Sequence, residues 1–185
     1  WGSVRLARHD FSKTESARFC CLQPNLNHLQ RGEGSLDSAF NIAERLVYQA
    51  SAHDAACMIL PESSLLTYLA RKPRRARRVL SWVDSVDTPL IVGSLHWNRG
   101  ERGGPYRYLV HNTAFLIDNR TRAFQPYFKM KLVPFSEALP FEGVFPLLSR
   151  VNLGEADFKR GTEPVVFRPT PRIQAIPLIC YEVIY

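Results

Sequence analysis

The chain has 185 residues, 45% of them hydrophobic, which suffices for one domain with a sizeable core. Its 24 Lys and Arg against 17 Asp and Glu give a net charge of +7, a balance open to nucleic acid, an anionic membrane surface or no specific partner. No zinc-finger, helix-turn-helix or RNA-binding signature accompanies the charge, so nucleic acid is not expected. The four cysteines form no Cys-x-x-Cys pair and have no His at ligand spacing, which excludes a structural zinc of the usual kind.

In chain order, residues 1–18 read as a lead-in and 19–185 as one domain of alternating strands and helices. Phe19 to Gln23 is a short β-prone run that ends at the turn formers Pro24 and Asn25. Leu36, Phe40, Ala43, Leu46 or Val47, and Ala50 recur at helical spacing, with Ser35 as N-cap. Ala56 to Leu60 is the next strand, and it delivers Glu62 just beyond its C-terminal end, where α/β sheets commonly carry active-site residues. The basic run Arg71 to Arg78 follows and reads first as a solvated helix face, with anionic lipid headgroups as the next reading.

Pro89 to Leu95 and Tyr108 to Asp118 are apolar, β-branched strand candidates. Asp118-Asn119-Arg120-Thr121 reads as a turn into Arg122 to Phe128, a hairpin that feeds Lys129. From Lys131 to Thr162 the chain has no clean period. Its Phe135, Phe141 and Phe145 are candidates for acyl-chain or membrane contact, weighed against core packing. Ala175 to Cys180 is an apolar, strand-like run, with Tyr181 and Glu182 directly after the thiol. Cys20, Cys21 and Cys57 read as small buried hydrophobes, and the five histidines as surface or core residues.

Glu62, Lys129 and Cys180 make a chemically coherent set. A free thiol has a pKa of roughly 8.5, so a nucleophilic Cys needs a base or a positive neighbour. A Glu can take the thiol proton, and a Lys can stabilise the oxyanion that forms when the sulfur attacks a carbonyl. The product is a thioester, which water or an amine can open.

Leu60-Pro61-Glu62-Ser63, Lys129-Met130-Lys131-Leu132-Val133-Pro134-Phe135-Ser136-Glu137 and Ile179-Cys180-Tyr181-Glu182 together resemble the nitrilase, or carbon-nitrogen hydrolase, superfamily. Within it they are most similar to the apolipoprotein N-acyltransferase family. Leu22-Gln23-Pro24-Asn25 and Asn112-Thr113-Ala114 resemble two further strands of that family. Ser136 departs from the family's usual Gly in Pro-Phe-Gly-Glu.

The resemblance implies an α/β domain of αββα sandwich type, incomplete at its C-terminal side, within a longer protein that has membrane helices outside this chain. It implies transfer of a fatty acyl group from a phospholipid, through a Cys thioester, to the N-terminal amine of a diacylglyceryl-cysteine apolipoprotein at the periplasmic face of a bacterial inner membrane. By motif, Glu62 is the base, Lys129 the oxyanion stabiliser and Cys180 the nucleophile, supported by Glu137, Tyr181 and Glu182; no cofactor or metal is implied. A soluble amidohydrolase of a small amide or nitrile, or a non-catalytic membrane-assembly relative, are the alternatives.

Overall fold

The computed structural model describes residues 16–26, 33–102, 106–133 and 158–184. Alternation along the strands builds a sheet that is buried on both faces. Its five strands are β1 (Phe19–Cys21), β2 (Cys57–Tyr68), β3 (Leu90–Arg99), β4 (Tyr108–Ile117) and β5 (Phe124–Phe128), adjacent in that order. β1, β2 and β3 run parallel, and β3, β4 and β5 antiparallel. The parallel pairs are separated in sequence by helices α1 (Glu33–Ala50) and α2 (Pro73–Val86), as crossover connections require.

Residues of one parity face the helices. Leu90 and Val92 of β3 and Phe115 and Ile117 of β4 join Phe40, Ala43 and Val47 of α1 and Val79, Trp82 and Val83 of α2 in the larger core. The other parity faces a two-stranded hairpin, β6 (Phe167–Thr170) and β7 (Ile173–Ala175). There Ala114, Leu116 and Tyr127 pack with Phe167 and Ile179 in a second core. The layers therefore run helices, sheet, second sheet, in the order expected of an αββα sandwich. Among the described residues no helix covers the outer face of β6 and β7, and no helix is long and apolar enough to cross a membrane.

The expected elements are present, with three corrections. α1 begins at Glu33, so Ser35 lies inside its first turn rather than capping it. β2 does not stop at Leu60 but continues to Tyr68, with breaks in register after Leu60 and after Leu65. The apolar run before Cys180 is not a strand: β7 ends at Ala175, and Cys180–Ile184 form a 3-10 turn. Pro177 lacks the N–H a ladder needs, and Ile176 and Leu178 are exposed. Cys57 is fully buried, its thiol pushed up to about 12 by desolvation, whereas Cys21 is exposed, against expectation.

The basic run Arg71 to Arg78 is only partly a solvated face. Arg74 and Arg77 are exposed, but Arg75 donates to Thr67 Oγ1 at 2.8 Å and Arg78 is paired with Glu44. Glu44 also accepts the indole N–H of Trp82 at 2.8 Å, and Phe40 packs against that indole at 5.9 Å. Trp82 thus joins α1 to α2 by packing and by a hydrogen bond. Trp82→Ala is expected to lower stability by about 3–5 kcal/mol, measured by urea denaturation. A loss below about 1 kcal/mol would mean that the helix pair is not held through this side chain.

Candidate active site

Three segments converge beside the C-terminal part of the parallel strands. β2 brings Glu62, the end of β5 brings Lys129, and the turn after β7 brings Cys180. The Lys129 side chain is almost fully buried, at 1% exposure, and its Nζ lies 3.1 Å from Glu62 Oε1. Asn112 of β4 donates from Nδ2 to the same oxygen at 2.6 Å, while its carbonyl accepts the Lys129 N–H at 2.9 Å. One β4 residue therefore fixes both members of the Glu–Lys pair.

The register break in β2 is what points Glu62 into the site. Leu60 pairs with Val92 and Leu65 with Ser94, so five residues of β2 advance against two of β3. The excess is taken up around Glu62 and Ser63, the latter in the left-handed region at φ 59°. That excursion lies flat on Gly93. A Cβ there would meet Pro61 O at 2.5 Å, Glu62 Cα at 2.6 Å and Ser63 N at 2.9 Å, all of them backbone. Beyond the break, the Ser94 hydroxyl reaches the carbonyls of Leu65 and Thr67 at 2.8 and 2.7 Å, supplying a donor where the ladder has slipped.

Cys180 is exposed and also left-handed, at φ 52°. Such a backbone costs a non-glycine residue on the order of 1–3 kcal/mol and persists only where its surroundings enforce it. The enforcing group is Glu182, whose carboxylate is 4% exposed. It accepts the Tyr127 hydroxyl at 2.8 Å, the N–H groups of Met130 and Lys131 at 2.7 and 3.0 Å, and the Ile179 N–H at 2.8 Å. The turn that presents Cys180 and the segment that follows Lys129 are thereby held on one side chain. Burial, reinforced by the adjacent Glu182, holds the Tyr127 phenol well above its ordinary range, so it remains a donor.

Glu62 and Cys180 line one cleft of about 300 Å³. Its other walls are largely apolar, among them Ile59, Ile91, Phe167, Ile176 and Leu178. Behind Lys129, Phe128 is stacked between His111 and His96, at centroid distances of 4.4 and 5.5 Å. His111 Nδ1 donates to Lys159 O at 2.8 Å, and burial holds both imidazoles below their usual range, hence neutral.

Of the residues singled out from sequence, the structure brings Glu62 and Lys129 into contact and sets Cys180 on the same cleft. Glu182 becomes the buried clamp, and Tyr181 is half-buried beside it. Phe135, Glu137, Phe141 and Phe145 lie outside the described residues. The sequence reading did not give Asn112 or Gly93 a role. An Asn-Thr pair interrupting apolar β4 was the available signal for the first; nothing in the sequence marked the second.

No family model matches the chain. Over its whole length it is 29% identical to the apolipoprotein N-acyltransferase of Bradyrhizobium diazoefficiens, of which it covers 36%. By sequence, the chain is a relative of the apolipoprotein N-acyltransferases. The enzyme of Geobacter metallireducens so named is 30% identical over 78% of the chain, which covers 27% of that protein. The chain spans about a third of the length of these curated relatives. Its fold is that of the carbon-nitrogen hydrolases. An amidase from Nesterenkonia sp. AN1 superimposes over 90% of this chain and 58% of its own with a TM-score of 0.58 at 17% identity. A glutamine-dependent NAD+ synthetase from Acinetobacter baumannii does so over 80% of this chain and 25% of its own, with a TM-score of 0.51 at 21% identity.

Two substitutions test the supports of this apolipoprotein N-acyltransferase-like site. Gly93→Ala is expected to cost about 1–3 kcal/mol through overpacking against the Glu62 backbone. Gly34→Ala, whose Cβ would meet nothing within 4 Å, is expected to be neutral or slightly stabilising. Equal effects in thermal denaturation would dismiss the close approach at Gly93. Glu182→Gln leaves one carbonyl oxygen where four donor groups need acceptors, so a loss of about 2–4 kcal/mol is expected. Hydrogen exchange should quicken at Ile179 and Met130 first; unchanged protection there would show that the carboxylate does not hold the two segments.

Proposed function

We propose that this domain transfers a fatty acyl group from a phospholipid, through a thioester on Cys180, to the N-terminal amine of diacylglyceryl-cysteine apolipoproteins. The observation that carries the reading is the buried Lys129 paired with a partly exposed Glu62 beside a mostly apolar cleft that Cys180 also lines. Glu62 takes the proton from Cys180 Sγ, and the sulfur adds to the ester carbonyl carbon of the donor. The carbonyl oxygen becomes an oxyanion and is stabilised by the Lys129 ammonium. The intermediate collapses with loss of the lysophospholipid alkoxide, which is protonated from Glu62, and the acyl-thioester remains.

In the second half, the acceptor amine adds to the thioester carbonyl while Glu62 removes its proton. The thiolate then leaves and is reprotonated, and the amide is released. Tyr181 and Glu182 hold the nucleophile's turn. Glu137 serves as a further supporting carboxylate, and Phe135, Phe141 and Phe145 contribute apolar contact to the acyl chain. The apolar lining suits an aliphatic acyl chain better than a small polar amide, and this favours the transferase over an amidohydrolase. The chemistry needs no metal or cofactor. We place the domain at the periplasmic face of a bacterial inner membrane, in a protein that reaches the bilayer through segments outside this chain.

Incubation of the protein in detergent with phosphatidylethanolamine should raise its intact mass by one fatty acyl group, and Cys180→Ala should abolish the gain. Lys129→Ala should slow acylation by about 10²–10³-fold, the usual loss on removing one oxyanion donor. A folded protein that gains no acyl mass but hydrolyses simple amides would move the assignment to an amidohydrolase.

A further inference from the structure

β3 and β4 continue beyond the cleft as a two-stranded extension, from the pair Leu95 and Asn112 to the pair Arg99 and Tyr108. Four residues separate Asn112 from Tyr108, roughly 13 Å of extended chain. The aromatic residues of this extension carry cations. The guanidinium of Arg71 lies 4.6 Å over the Trp97 ring and donates to the Trp97 carbonyl at 3.2 Å. That of Arg107 lies 5.4 Å over Tyr108, and Lys159 Nζ 4.2 Å over Tyr106. Trp97 and Tyr108 meet edge to face at 4.7 Å, and Tyr108 and Tyr106 are 44% and 37% exposed.

The charge on this end is not compensated. Among the described residues Arg71, Arg99, Arg102, Arg107 and Lys159 make no ion pair with a carboxylate, and Glu101 is the only acid between residues 95 and 108. Arg78, Arg120 and Arg122 are paired with Glu44, Asp118 and Asp84, and although Arg74 and Arg77 of α2 also make no ion pair among the described residues, they are not stacked on exposed rings. Cations stacked on rings keep their charge facing outward with little rotamer freedom left to lose, so a counter-charge from outside binds them at reduced entropic cost.

We propose that this end of the β3–β4 extension docks on an anionic phospholipid surface, with the unpaired Arg and Lys on headgroup phosphates and Trp97, Tyr106 and Tyr108 at the headgroup level. Amphipathic rings mixed with arginines are the composition of a membrane–water interface. The rings already carry cations on their faces, which leaves them less open to base stacking. The docking reaches beyond the transferase reading and stands whether or not Cys180 is acylated. It would set the cleft about one strand length from the lipid surface.

The test is co-sedimentation of the full chain with phosphatidylcholine vesicles, alone or with phosphatidylglycerol at one third of the lipid. Binding is expected to the anionic vesicles only and to weaken with salt. R71E/R107E is expected to lower the partition coefficient about 30-fold or more. R74E/R77E, on the solvent side of α2, removes the same charge and should change it by less than about 3-fold; circular dichroism confirms folding of each variant. The single variant Arg107→Gln, at an exposed site, should lose about 5-fold. Equal losses in the two double variants would overturn the assignment in favour of diffuse charge, as would equal binding to zwitterionic vesicles. Displacement of the anionic vesicles by a short single-stranded RNA at equal phosphate concentration would overturn it in favour of nucleic acid.

Discussion

The site depends on a carboxylate that takes no part in bond making. Glu182 gathers donors from Tyr127, from the backbone after Lys129 and from the backbone before Cys180. Tyr127 lies 55 residues before Glu182 and Lys131 lies 51 before it, and in between fall residues 134–157 as well as the β6–β7 hairpin. Hydrogen bonds to a charged acceptor contribute about 1.5–3 kcal/mol each, enough together to offset a left-handed Cys180. A neutral side chain of the same shape has too few lone pairs for the same task. The task of Glu182 is therefore structural, to hold the turn that presents Cys180.

The same economy of position operates at Glu62. A regular parallel strand would have placed it in the ladder, its side chain packed on one face of the sheet. The three surplus residues in β2 lift it out, at the cost of several unpaired backbone groups. Ser94 answers part of that cost from the neighbouring strand with one hydroxyl on two carbonyls, and Gly93 leaves the space into which the excursion sinks. Asn112, one strand further, holds the carboxylate oxygen and the backbone of Lys129. The Glu62–Lys129 pair is thus built across β2, β3, β4 and the end of β5, and each neighbouring strand supplies a different kind of support.

Much of this was legible in the sequence where residue type carries the chemistry. Glu62, Lys129 and Cys180 were singled out by the order of residue types and the motifs around them, and the structure sets Glu62 against Lys129 with Cys180 on the same cleft; α1, β3, β4 and β5 followed from apolar period and turn residues. What was not legible depends on partners distant in the chain. Pro61-Glu62-Ser63-Ser64 looks like a strand end because the residue that tolerates its continuation is Gly93, thirty positions on. Ile176 to Ile179 looks like a strand by apolar content, and the turn that replaces it is held by the Glu182 carboxylate, which also takes the N–H groups of Met130 and Lys131 far back in the chain. Ser35 looked like a cap because capping residues also occur within first turns.

Net charge makes the same point at the level of the surface. A sum of +7 says nothing about where an anion would be met, and the densest basic stretch of the sequence is only one of the places where charge is left over. Within Arg71 to Arg78 two arginines are spent on α1 and β2, through Glu44 and Thr67, and only Arg71, at the end of its short 3-10 turn, is turned onto Trp97. A further surplus is formed by residues scattered in sequence, Arg71, Arg99, Arg107 and Lys159, which strand pairing and the Phe158 bridge to Val110 bring to one end of the β3–β4 pair. The topology that slips β2 past β3 to expose Glu62 also sets the 3-10 turn beside the far end of β3. The placement of Glu62 and that of Arg71 therefore both follow from one irregular parallel pairing.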